Sequence, residues 1–253
     1  MLATASNALL RALLAPACAV CNEPLAVPLD GAICLVCQRT VPSLVPPLCR
    51  LCGDPLPAYP VNPACARCRE APPAFAMARS AGAYDGSLRE MVHALKYQGH
   101  RMIAPWLSAQ MQHVGADVLA DADAVVPVPL HRWRHWQRGF NQADDLAIGL
   151  GRPVWRVLRR RRRGPPQASL AAAERHANAL GAYSLMWRPP RRLRGAVVVL
   201  IDDVMTTGAT LNACALVLQE AGVASVRALT AARAVAARPP QPLRRPHLST
   251  VRR

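Results

Sequence analysis

Lysine is all but missing. Lys96 stands alone among 31 basic residues, and every other one is arginine. Alanine and proline are plentiful, so the arginine excess has the mark of a GC-rich genome. The formal net charge of +16 is therefore a weaker pointer to nucleic acid than its size implies. Aromatic residues make up only 4% of the chain, so a small module here cannot hold itself together by burial alone and needs staples. No apolar stretch reaches the roughly 18 residues that a membrane-spanning helix requires. Residues 8–15, ALLRALLA, followed by Pro16-Ala17-Cys18, mimic a signal peptide, but Arg11 interrupts the run and no basic segment precedes it. Leu9, Leu10, Leu13 and Leu14 fit instead a short amphipathic helix packed on the cysteine-rich segment, and a cytoplasmic protein is expected. No Gly-Lys-Ser/Thr closes a glycine loop, which excludes a Walker A site. The seven histidines keep no metal-ligand spacing and take no role.

Cysteine, by contrast, is organised. Eight of nine cysteines form four Cys-x-x-Cys pairs: Cys18/Cys21, Cys34/Cys37, Cys49/Cys52 and Cys65/Cys68. The first two pairs recur 31 positions later, and the flanks recur with them, Cys21-Asn22-Glu23-Pro24-Leu25 matching Cys52-Gly53-Asp54-Pro55-Leu56. A tandem duplication accounts for this. Each unit has the spacing of a four-cysteine zinc ribbon, in which two tight knuckles close a tetrahedron of thiolates. Disulfides, an iron–sulfur cluster and redox pairs suit the duplication less well. Two structural zinc ions are expected, with sequential pairing favoured over an interleaved cross-brace. Each filled site carries net −2, and the two together lower the formal charge to about +12.

Residues 197–210 carry the chemistry. The run Val197-Val198-Val199-Leu200-Ile201 is a strand, Asp202 and Asp203 come next, and Thr206-Thr207-Gly208-Ala209-Thr210 leads into a helical pattern. A turn feeding a helix N-terminus presents unpaired N–H groups to an anion, above all a phosphate. Gly208 lets the backbone approach closely, and the threonine hydroxyls add donors. The acids cannot bind that phosphate; they suit ribose hydroxyls or a Mg2+ shared with a pyrophosphate.

The chain divides accordingly. Residues 1–74 are expected to hold the amino-terminal helix and the double ribbon, with Pro72-Pro73 as a linker. Residues 75–235 alternate strands and helices, which implies a mostly parallel sheet flanked by helices. Strands are expected at 75–84, 124–128, 153–158, 196–201 and 224–231. Helices are expected from Gly86, over 101–114 with a break at Pro105, and over 141–150, 169–180 and 208–221. Residues 236–253 are expected to be a disordered basic tail. His131-Arg132-Trp133-Arg134-His135-Trp136 interleaves arginine with tryptophan in a loop after the second strand, a pattern that suits single-stranded nucleic acid. Arg161, Arg162 and Arg163, within the run Arg159–Arg163, and Lys96 are further phosphate candidates, each with a plain reading as a solvated charge.

The acid pair and threonine loop resemble the phosphoribosyl pyrophosphate (PRPP) motif of type I phosphoribosyltransferases. Tyr84-Asp85-Gly86-Ser87-Leu88, Leu95-Lys96-Tyr97, Val126-Pro127-Val128-Pro129-Leu130, Arg138-Gly139-Phe140-Asn141-Gln142-Ala143 and Gln167-Ala168-Ser169-Leu170 resemble segments of the ComF/GntX family, as does the double ribbon. The resemblance implies a type I phosphoribosyltransferase fold, α/β, preceded by a small zinc-ribbon module. It implies PRPP and Mg2+ as ligands, with Asp202 and Asp203 on ribose or metal. Residues Thr206, Thr207, Gly208, Ala209 and Thr210 would lie on the 5′-phosphate, and Arg138, with Arg132 and Arg134, toward the pyrophosphate. It also implies a part in competence and DNA uptake, with single-stranded DNA and a helicase or recombination mediator as partners. No acceptor pocket and no general base are legible, so an active transferase, a binding relative without turnover, and a scaffold that docks protein partners all stay open.

Overall fold

The structure is a computed structural model that describes residues 2–161, 181–186 and 190–235. Helix α1 spans Leu2–Leu14. The two ribbons come next, each carrying a short helix at its second knuckle: α2 (Leu35–Arg39) and α3 (Ala66–Glu70). The remainder runs β1 (Ala78–Ala83), α4 (Gly86–Tyr97), α5 (Ala104–Val114), α6 (Ala116–Leu119), β2 (Ala124–Pro127), α7 (Arg132–Arg138), α8 (Gln142–Ile148), β3 (Leu158–Arg160), β4 (Tyr183–Leu185), β5 (Val197–Met205), α9 (Ala209–Glu220) and β6 (Ser225–Arg233). The main sheet has the order β1-β6-β5-β2 and is parallel throughout, while β3 and β4 form a separate antiparallel pair.

Successive residues of a strand point to opposite faces, and β5 is apolar on both. Val198 and Leu200 join a core with Leu211, Cys214 and Leu218 of α9. Val199 and Ile201 join a core with Leu88, Met91 and Leu95 of α4 and Leu107 and Met111 of α5. Helices on both faces of a parallel sheet are the arrangement that such a doubly apolar strand requires. The second ribbon belongs to the α9 core through Cys49, Cys52, Leu56 and Cys68. The first belongs to the opposite core through Cys18, Leu25, Ile33 and Cys37.

Several expectations are corrected. Strand β5 does not stop at Ile201; pairing with β6 continues from Asp202↔Thr230 to Met205↔Arg233, so both acids lie inside the strand. The break expected at Pro105 falls just before it: a 3-10 turn at Arg101–Ile103 gives way to α5, and Pro105 sits in the first turn of α5, which has no use for the N–H that proline lacks. Residues 153–158 give only a single bridge, Val125↔Val154, before β3 begins at Leu158. The Arg/Trp segment is helix α7 and not a loop. Helix α1 touches the first ribbon, the Leu29 N–H donating to Asn7 Oδ1 at 3.0 Å, but Leu13 and Leu14 are 72% and 70% exposed. Among the described residues no helix is long and apolar enough to cross a membrane. The helix expected at 169–180 and the tail from 236 fall outside the described residues.

Candidate functional site

Each zinc unit is built from local geometry. The sulfurs of Cys18, Cys21, Cys34 and Cys37 converge within 4.8 Å of one another, as do those of Cys49, Cys52, Cys65 and Cys68. The Cys21–Cys34 and Cys52–Cys65 sulfurs are each 3.7 Å apart. Tetrahedral zinc with bonds of about 2.3 Å requires sulfur–sulfur edges of about 3.8 Å, so both groups fit zinc, and the pairing is sequential. The Cys34 N–H donates to Cys18 Sγ and the Cys65 N–H to Cys49 Sγ, each at 3.3 Å. Burial works to raise the Cys18 and Cys49 thiols, but such backbone donors outweigh it and bring each down to about 7. Thiols of that acidity give up their protons readily to a metal. None of the eight ribbon cysteines is in a disulfide, nor is Cys214, which is fully buried on α9 and held well above the ordinary thiol range by that burial.

The second centre lies at the carboxyl ends of the strands, where open parallel sheets hold ligands. Strand β2 stops pairing with β5 at Pro127↔Ile201, so Asp202 and Asp203 extend beyond it along β5. Asp203 is 9% exposed, and Lys96 at the end of α4 closes on its Oδ1 at 2.8 Å. The lone lysine thus neutralises an acid. Its compact ammonium suits that narrow place better than a planar guanidinium. Asp202 faces the other core. Burial first, and the Asp203 charge second, push its carboxyl up to about 7, against the pull of Lys96 and Arg160. Beyond Met205, Thr206 and Thr207 are exposed. Gly208 then adopts φ +82 as the N-cap of α9, a left-handed conformation that favours glycine. A Cβ there would meet Met205 Cε at 2.8 Å.

The other sequence candidates surround this edge. Arg138 stacks its guanidinium 4.7 Å from the centroid of the Tyr97 ring, next to Lys96. Asn141 caps α8, its side chain accepting from the Ala143 N–H at 3.2 Å and donating to the Val128 carbonyl at 3.1 Å. Gln142 is fully buried, and neither of its amide atoms has a hydrogen-bond partner among the described residues. Trp133 and Trp136, one helical turn apart on α7, are 63% and 76% exposed, with ring centroids 5.4 Å apart. Trp136 and Arg161 line one cleft of about 1170 Å³, together with Pro129, Asn141, Arg159 and Arg160. Arg132 and Arg134 belong to α7. Arg162 and Arg163 lie outside the described residues.

Two residues near the acids carried no motif. Arg160 packs over the Tyr183 ring at 5.6 Å and pulls on Asp202. Burial, above all, pushes Tyr183 up to about 12, with Thr210 as a hydrogen-bond partner working against the rise. Arg160 was legible only as one arginine of a run, and Tyr183 had no signal.

Residues 9–70 match the double zinc ribbon domain family and residues 137–244 the phosphoribosyl transferase domain family. The DNA utilization protein YhgH of Salmonella typhimurium is 35% identical over 221 residues, covering 83% of this chain and 93% of that protein. Competence protein F of Haemophilus influenzae is 37% identical over 123 residues, which span 44% of this chain and 51% of that protein. Competence protein ComFC of Bacillus subtilis is 33% identical over 154 residues, 60% of this chain and 62% of that protein. With two four-cysteine groups ahead of a parallel α/β sheet and a relative matched over nearly its whole length, the chain belongs to the ComF/GntX family of phosphoribosyltransferase-like proteins with an amino-terminal double zinc ribbon.

Proposed function

We propose that the chain binds PRPP with Mg2+ over the acid pair and the threonine loop, and that single-stranded DNA runs along the neighbouring tryptophan–arginine cleft. One observation carries the first part: Asp202 and Asp203 extend past the end of β2 and lead directly into a left-handed glycine that opens α9. Carboxylates thus stand beside an anion-seeking helix end, the pairing that a ribose phosphate requires. Mg2+, when bound, would neutralise pyrophosphate oxygens, with the Asp202 and Asp203 carboxylates as its available ligands. Lys96 holds the Asp203 side chain in place, 2.8 Å from its Oδ1. A proton on Asp202 opposes cation binding, so affinity for PRPP and Mg2+ is expected to strengthen as pH rises through about 7. Isothermal titration of PRPP with Mg2+ tests the site. Asp202→Ala or Asp203→Ala should each weaken binding by about 1.5–3 kcal/mol, and calorimetric silence of the natural chain removes the assignment. Pyrophosphate release with candidate acceptors then separates a transferase from a binding relative.

The DNA part rests on Trp133 and Trp136 being exposed together beside the Arg159–Arg161 cleft. Indole faces stack on unpaired bases while guanidinium groups follow phosphates. Affinity should fall steeply with salt. Removing both indoles should cost about 1–3 kcal/mol per stacked base. Equal binding of duplex and single strand, indifferent to the tryptophans, would overturn it.

A further inference from the structure

The phosphate loop and the second ribbon share a wall. Cys52, Arg67 and Cys68 line one side of a cavity of about 210 Å³, and Met205, Thr207 and Gly208 line the other. Pro72, Pro73 and Phe75 close it. The segment between them is no free tether. The Ala74 N–H donates to Asn212 Oδ1 of α9 at 2.6 Å, and Gln219 Nε2 donates to the Ala74 carbonyl at 2.7 Å.

One side chain joins the two centres. Arg233 ends β6, in register with Met205, the residue that enters the loop. It is fully buried. Its Nε donates to Asp54 Oδ1 at 2.8 Å, one terminal nitrogen donates to the Cys52 carbonyl at 2.7 Å, and the other reaches Cys52 Sγ at 3.5 Å. Buried charge of this kind persists only where its partners are held in place. Hydrogen bonds to a ligand sulfur from outside the coordination sphere tune metal affinity. The guanidinium therefore couples the charge of a zinc thiolate centre to the strand end that fixes the phosphate loop.

We infer that the zinc of the second ribbon is thermodynamically linked to PRPP binding, with Arg233 as the positioning residue, and that the zinc of the first ribbon is not. The inference rests on the PRPP reading above. Linkage is reciprocal: if zinc in the second site tightens PRPP, PRPP tightens that zinc by the same factor. The first ribbon supplies the internal control, because its exposed Cys21 has no comparable guanidinium reaching it from the strand end beside the phosphate loop among the described residues.

The test competes zinc from the full-length, zinc-loaded chain with a zinc-selective chelator that leaves Mg2+ free, with and without PRPP. The same titration on Cys21→Ser, whose remaining four-cysteine group is the second, assigns the steps. PRPP should raise the chelator needed for the second site about fivefold or more, the lower end of ordinary coupling between sites, and leave the first unmoved. Arg233→Lys keeps the charge but loses the three-way fork, and should reduce the shift. PRPP bound by calorimetry with no shift, or with both steps shifted alike, overturns the linkage alone. Absence of PRPP binding by the natural chain overturns the linkage together with the reading beneath it.

Discussion

The two ribbons are copies in sequence and differ in setting. At the position of Cys21, which is exposed, the second copy has Cys52, which is 2% exposed. Where the first has Val36, 70% exposed, the second has Arg67, 3.8 Å from Cys52 Sγ. Glu23 becomes Asp54, which takes Arg233 at 2.8 Å and Arg67 at 3.7 Å. The Ala78 N–H of β1 donates to the Leu51 carbonyl at 2.7 Å, which fixes the first knuckle of the second ribbon to the sheet. Burial pushes the Cys52 thiol up, and the Arg233 charge works against it. Duplication therefore gave two similar metal cages, and docking gave the second of them counter-charges, including one from the α/β domain. The first cage packs on the sheet but leaves its Cys21 corner open to solvent, whereas the second is closed at the equivalent corner by a buried guanidinium.

The largest expected effect separates the cages directly. Zinc in such sites contributes on the order of 10 kcal/mol to folding of its own module. Cys52→Ser should therefore lose one zinc and lower the melting temperature of the α/β domain as well. Cys21→Ser should lose one zinc and lower that transition less, because the first ribbon meets the sheet by apolar packing without the buried guanidinium. Metal analysis with calorimetric melting reads both, and equal melting of the two variants would erase the distinction. Next is Arg233→Met. Removing one member of a buried charge pair costs roughly 3–5 kcal/mol, and the lower end applies because Asp54 is itself 31% exposed. Denaturant unfolding measures it, and a change under about 1 kcal/mol, the size of an ordinary surface pair, would show that the clamp is incidental. The smallest effect compares equivalent backbone positions. Asn22 and Gly53 both have positive φ, 63° and 70°, but a Cβ on Gly53 would lie 2.9 Å from the Ala78 carbonyl oxygen. Gly53→Asn should cost about 1–3 kcal/mol. Asn22→Gly should stay within about 0.5 kcal/mol. Denaturant unfolding of the two variants checks the contrast, and equal costs would show that the two knuckles are packed alike.

Legibility in the chain tracks the range of the interactions. Cysteine spacing is local chemistry, so both cages were legible, whereas the choice of sequential pairing over a cross-brace needed the positions of the sulfurs. So was the strand, acid pair, glycine turn and helix of residues 197–220, because every part is adjacent in sequence. The full length of β5 was hidden, since two acids read as a strand end until β6 pairs with them. Helix α7 was hidden because a segment of arginine, histidine and tryptophan shows no apolar period. The Arg233–Cys52 clamp joins residues 181 positions apart, and a lone arginine at the end of an apolar strand carries no local sign of its partner. The partner of Lys96 was equally invisible: scarcity marked the residue, but only the fold set it against Asp203.

The most direct test titrates PRPP with Mg2+ into three zinc-loaded preparations: the natural chain, Cys21→Ser and Cys52→Ser. Saturable binding by the first two with like affinity, and binding weakened about fivefold or more in the third, is the predicted result. No binding by the natural chain, or equal binding by all three, would contradict it.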